Sequence, residues 1–169
     1  ATFTYTDNTK IAFIFLLFCW FWTSEFVIAI GQMVVALAFV AWYFTRDKSK
    51  VDNRTVVWSF KTVLRYHLGS CAYGSLVIAI IKTVRAIVAY IQKKAKKSRN
   101  KCLEYTMCII SCLLLCLEKI MKFINKHAYI LIAIYGNSFC PACRKAFFLL
   151  LRNILRVASV NLVAAMLLF

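Results

Sequence analysis

The longest apolar stretch of this sequence lies between Lys10 and Arg46, where residues 11–45 carry a single formal charge, Glu25. An α-helix rises about 1.5 Å per residue, so about 20 apolar residues cross the hydrocarbon core of a bilayer. The stretch is too long for the apolar part of a signal peptide. A soluble domain does not bury so long a helix that is apolar on every side. We therefore predict one continuous membrane-crossing helix over 11–44.

The composition agrees with a membrane-embedded, helical protein. Hydrophobic residues make up 63% of the chain, against about 45–50% in ordinary soluble domains. Four Gly and one Pro leave little room for a loop-rich or all-β fold. We predict an all-α, multi-pass transmembrane helix bundle with interfacial amphipathic helices, in which 1–169 is part of a single transmembrane domain. The predicted helices are 11–44, 68–91, 102–126, 128–151 and the start of another at 154–169.

The net charge of +16 indicates where the membrane edges lie. In a soluble protein it would suggest nucleic acid. Here the cations cluster between apolar segments, as they do on cytoplasmic loops. We therefore predict no nucleic-acid partner, a cytosolic segment at 45–66, and anionic lipids near the basic loops. Basic residues flank 68–91 on both sides, so the residues leave open whether it crosses the membrane or lies half-inserted.

The second half of the chain contains an amphipathic helix and a break. Lys119, Lys122 and Lys126 repeat at helical spacing, and Glu118 can pair with Lys122 one turn away. We expect 102–126 to be interfacial. The next helix, 128–151, should break at 136–138, where Gly, Asn and Ser follow one another.

Glu25 is the first candidate for function, because an ionisable group in lipid is costly and must face the protein interior or a cavity. Trp22 and Gln32 share its helix face, and Tyr43 lies on the same helix. Ring faces and negative charge are what hold a quaternary ammonium, which has no N–H to donate. We predict Trp22, Glu25, Gln32 and Tyr43 as residues that bind an organic cation. The alternative is that Glu25 pairs with a Lys or Arg of a neighbouring helix.

Other motifs give no support for catalysis. Cys108, Cys112 and Cys116 share a helix face without a nearby His; packing is the first interpretation and palmitoylation an alternative. Cys140 and Cys143 form a CxxC pair outside the βαβ context that redox work needs. The sequence holds no phosphate loop and no Ser/His/Asp arrangement. We expect no enzyme activity, no cofactor and no metal.

Six short motifs resemble the choline transporter-like family, and they follow the family's order over nearly the whole chain. They are FWTSEF at 21–26, YFTRDK at 43–48, RYHLGS at 65–70, CLEK at 116–119, NKHAYI at 125–130 and AIYGNSFC at 133–140. The resemblance implies multi-pass carriers of about ten helices that move choline and, in some cases, related amines or other solutes. It also implies that this chain is a central-to-late segment of such a carrier.

The resemblance and the residues together predict transport of choline or a related organic cation. The expected partners are that cation, the lipid bilayer and the remainder of the carrier chain. The plasma membrane is the expected location, with an organelle membrane as the alternative. The other function that the residues leave open is a membrane-organising or interaction subunit that does not transport.

Overall fold

The computed structural model describes residues 7–52, 54–97 and 101–168. These ranges hold no β-strand and form an all-α structure, as predicted. A 3₁₀ turn, Lys48–Lys50, precedes α2, and a π turn, Val63–His67, joins α2 to α3. The α-helices are α1 (Asp7–Phe44), α2 (Thr55–Thr62), α3 (Leu68–Lys97), α4 (Lys101–Tyr135), α5 (Phe139–Arg152) and α6 (Ile154–Leu168).

Within the described residues, two helices are long and apolar enough to cross a membrane, Asn8–Phe44 and Thr55–Lys96. The first passes through Gly31 without a break, since one Gly costs only about 1 kcal/mol relative to Ala. The second includes the predicted segment 68–91, whose length and composition therefore suit a crossing. Helices α5 and α6 meet at an angle of 90°, and together they would form a third span if the bent pair crosses the membrane as one segment.

The structure corrects two predicted boundaries. Helix begins again at Thr55, well inside the segment 45–66 that separated the first two predicted helices, and it continues through the π turn into α3. The predicted division between 102–126 and 128–151 is wrong, because α4 runs unbroken through His127 to Tyr135. Charged residues and His change which face of a helix is polar, but they do not interrupt the backbone.

Gly136 ends α4 at the predicted break. Its φ of 66° lies in the left-handed region that only Gly adopts freely. Its N–H donates to the carbonyl of Ile132 at 2.8 Å, which satisfies one of the last carbonyls of α4. The turn lets α5 pack back against α4 through Phe139, Ala142 and Ala146, which are buried and share one helix face.

Helices α1, α3 and α4 pack against one another and enclose the core. Helix α3 runs antiparallel to α4. The ion pairs Arg85–Glu118 and Lys96–Glu104 show this, because the residue numbers on α3 increase from one pair to the next while those on α4 decrease. Helix α4 is amphipathic, as predicted, and lies alongside α3. The core cluster includes Ala29, Met33, Leu37, Cys71, Ala128, Tyr129, Ile132 and Phe139.

Candidate functional site

Glu25 lies on the buried stripe of α1, in line with Ala29 and Met33 at intervals of one helical turn. Only 4% of the residue is exposed, so the prediction that it faces the interior is confirmed. Its carboxylate contacts the ammonium of Lys82 on α3 and lies 3.3 Å from that of Lys122 on α4. Glu25 therefore pairs with cations of neighbouring helices in this conformation, which is the alternative that the sequence left open.

The ion pairs continue from Glu25 into a network that joins all three helices. Lys122 also lies 3.0 Å from Glu118, one turn earlier on α4, as its spacing predicts. Glu118 in turn lies 2.9 Å from Arg85 on α3. Two buried carboxylates thus face three cations, and the cations offset the cost of removing the carboxylates from water. The network carries one positive charge in excess.

A small pocket opens beside Glu25. Its volume is about 120 Å³, room for about four water molecules at ~30 Å³ each. Asn125 contributes an amide that donates to the carbonyl of Gly74 at 2.9 Å, an interhelical hydrogen bond between α4 and α3. The Oδ1 atom of Asn125 and the hydroxyl of Tyr129 are buried and have no hydrogen-bond partner among the described residues. Buried polar atoms normally have partners, so the pocket suits an occupant with a polar group.

The predicted site residues are only partly brought together. Gln32 lines the pocket with Glu25. Trp22 does not line it; its indole N–H donates to the carbonyl of Ala72 at 3.3 Å, and its ring stacks on Phe18. Tyr43 lies at the far end of α1, about 27 Å along the helix axis from Glu25 at 1.5 Å per residue.

Asn125, Tyr129 and Lys122 belong to the pocket and were not among the predicted site residues. With Glu118 they form a stripe along α4 at intervals of three or four residues, the spacing of one helix face. That spacing was available in the sequence. The helical spacing of Lys119, Lys122 and Lys126 predicts one basic face, whereas in the structure Lys122 is the member of this set that pairs with Glu25.

The described residues contain no group of three His, Cys, Asp or Glu side chains that could hold a metal ion. The thiols of Cys108, Cys112, Cys116 and Cys140 are free and exposed, and that of Cys143 is half-buried.

Comparison with known proteins identifies the family. A family model described as plasma-membrane choline transporter matches residues 1–169. The chain belongs to that family. It is 45% identical over 153 residues to choline transporter-like protein 2 of Danio rerio, covering 90% of this chain and 22% of the relative. With the protein of that name in Xenopus laevis it shares 44% identity over 168 residues, 98% of this chain and 24% of the relative.

A differently numbered relative gives the same result. Choline transporter-like protein 4 of Danio rerio is 44% identical over 149 residues, 88% of this chain and 21% of the relative. The chain spans less than a quarter of the length of these relatives. The resemblance in the sequence motifs is thus confirmed: this is a membrane protein of a transporter family.

Proposed function

We propose that the carrier containing this chain moves choline or a related organic cation across the plasma membrane, and that Glu25 supplies the negative charge of the substrate site. The proposal rests on the position of the Lys82 ammonium. It contacts the Glu25 carboxylate and lies 5.6 Å from the centre of the Phe21 ring. A carboxylate and a ring face around one position are what a quaternary ammonium requires.

In this conformation Lys82 and Lys122 already compensate the charge of Glu25. A substrate cation must therefore replace at least one lysine, and movement of α1 relative to α3 or α4 would separate Glu25 from them. Displacement of Lys82 would couple substrate binding to a rearrangement of the bundle, since Glu25 is the carboxylate that its ammonium contacts and a buried charge without a partner is costly. The alternating arrangements of a carrier offer that movement.

The proposal gives each of the other three predicted site residues a separate role. Gln32 lies at the pocket and can receive the hydroxyl of an amino alcohol, together with Asn125 and Tyr129. Trp22, adjacent to Phe21, is proposed as a second ring that reaches the cation after helix movement. Tyr43, near the end of α1, is proposed as a contact along the path of the substrate.

The test compares Glu25→Gln with Glu25→Gln/Lys82→Gln in the full-length carrier, using uptake of radiolabelled choline into proteoliposomes. Glutamine keeps the shape of the side chain and removes its charge, while the double variant also removes a stranded cation. We expect uptake at low choline to fall about tenfold or more in both, the equivalent of ~1.4 kcal/mol of binding. The double variant should recover part of the folded yield that the single variant loses.

Glu104→Gln is the matched control, because its partner Lys96 lies 3.6 Å away in a largely exposed pair. It should leave uptake unchanged. Uptake that returns with folded yield in the double variant would show that Glu25 only holds the helices together. A wild-type carrier that reaches the membrane and moves no choline would favour the non-transporting subunit.

A further inference from the structure

A second, larger groove lies between the end of α4 and the outer face of α5. Its volume is about 980 Å³. Arg144, Phe148 and Arg152 line it at intervals of four residues, so they share one face of α5, and Lys145 stands beside them. Tyr135, the last residue of α4, forms the opposite wall.

The charges of this groove are of one sign. Its three cations are exposed, and no carboxylate of the described residues forms an ion pair with them. Aromatic rings lie beside two of them. The Lys145 ammonium lies 5.7 Å from the centre of the Tyr135 ring, and the Arg144 guanidinium 6.0 Å from that of Phe148.

The apolar part of the lining indicates what kind of anion fits. Leu131 and Leu149 line the same groove as the cations. A free inorganic anion gains nothing from leucine side chains, whereas a phospholipid presents its phosphate and its acyl chains together. Cations and aromatic rings side by side are also typical of the edge of a membrane.

We propose that this groove binds the headgroup of an acidic phospholipid, with Arg144, Lys145 and Arg152 contacting its phosphate and Leu131 and Leu149 its acyl chain. Arginine suits this role because its planar guanidinium can donate two parallel hydrogen bonds to phosphate oxygens. The site lies on a different surface from the pocket beside Glu25 and does not depend on the identity of the transported solute.

The experiment measures lipid bound to purified, delipidated full-length carrier by native mass spectrometry, with phosphatidylserine and phosphatidylcholine as probes. The test variant is Arg144→Gln/Lys145→Gln/Arg152→Gln. The control is Lys93→Gln/Lys94→Gln/Lys101→Gln, which removes the same charge from exposed residues where α3 ends and α4 begins. We expect the wild type to retain phosphatidylserine over phosphatidylcholine. The control should lose less phosphatidylserine than the test variant, because a basic loop attracts anionic headgroups by charge alone, whereas the groove also contacts an acyl chain. The test variant should bind phosphatidylserine about tenfold to a hundredfold more weakly.

Three results would overturn the proposal: equal retention of both lipids by the wild type, equal losses in the two triple variants, or release of phosphatidylserine by millimolar inorganic phosphate. Arg144→Lys/Arg152→Lys guards against a folding artefact, because it keeps the charge and loses only the paired hydrogen bonds of arginine. It should retain more phosphatidylserine than the glutamine variant. Equal loss in both would contradict a charge-based site.

Discussion

The centre of the bundle and the outer face of α5 use the same residue types in opposite ways. In the centre, Lys82 and Arg85 meet the buried carboxylates of Glu25 and Glu118. On α5, cations lie exposed beside aromatic rings and meet no carboxylate of the described residues. A cation in a buried pair contributes to holding helices together, whereas an exposed unpaired one remains available to a ligand.

This difference in burial also determines how much a substitution in each region should change the free energy of unfolding. Removing one partner of a buried ion pair leaves an uncompensated charge and costs about 3–5 kcal/mol. Exposed pairs contribute about 0–1 kcal/mol because water screens them. Substitutions in the two regions should therefore separate sharply in their effect on the stability of the full-length carrier.

The largest expected effect follows from Glu118→Gln, which leaves Arg85 and Lys122 without one of their partners. We expect the free energy of unfolding to fall by about 3 kcal/mol, because two charge-assisted contacts to a buried carboxylate are lost at ~1.5–3 kcal/mol each and the remaining cations are partly exposed. The measurement is the resistance of the purified carrier to denaturation in detergent. Glu104→Gln, at the exposed pair with Lys96, should cost less than about 1 kcal/mol. Equal losses at the two sites would erase the distinction between the centre and the exposed surface.

An intermediate effect tests how closely the helices approach at the centre. A methyl group on Gly74 would collide with the hydroxyl of Tyr129 and the ring of Phe139, so Gly74→Ala should destabilise the carrier by about 1–3 kcal/mol. Gly69→Ala in the same helix meets open space. It should be neutral or stabilise by up to about 1 kcal/mol through helix propensity. Comparison of their melting temperatures checks this; a tolerated Gly74→Ala would mean that the bundle is more loosely packed.

The smallest effect is expected on α5. Arg144→Gln/Arg152→Gln removes two exposed charges and should change the free energy of unfolding by no more than about 0.5 kcal/mol. Arg85→Gln is the comparison, since it leaves the buried Glu118 with only Lys122 and should destabilise more. Melting in lipid-free detergent gives both values. A large loss from the α5 variant would assign its cations a structural role within the carrier.

The sequence predicted the class of fold and several local features correctly. The apolar stretch that contains Glu25 sufficed to predict α1, and Gly136 sufficed to predict the end of α4. These features depend on composition and backbone conformation, which neighbouring residues determine. The boundary expected at His127 failed because a polar residue within an amphipathic helix resembles the end of one.

The partners within the bundle could not be predicted in the same way. The sequence by itself determined that Glu25 must be buried, since its apolar surroundings leave a charge no other acceptable place. Only the tertiary structure decided that Lys82 and Lys122 meet it, and that Asn125 and Tyr129 rather than Trp22 and Tyr43 line the adjoining pocket. The physical reason is that burial follows from the local sequence, whereas an ion pair between helices depends on their relative rotation and register, which the packing of the whole bundle fixes.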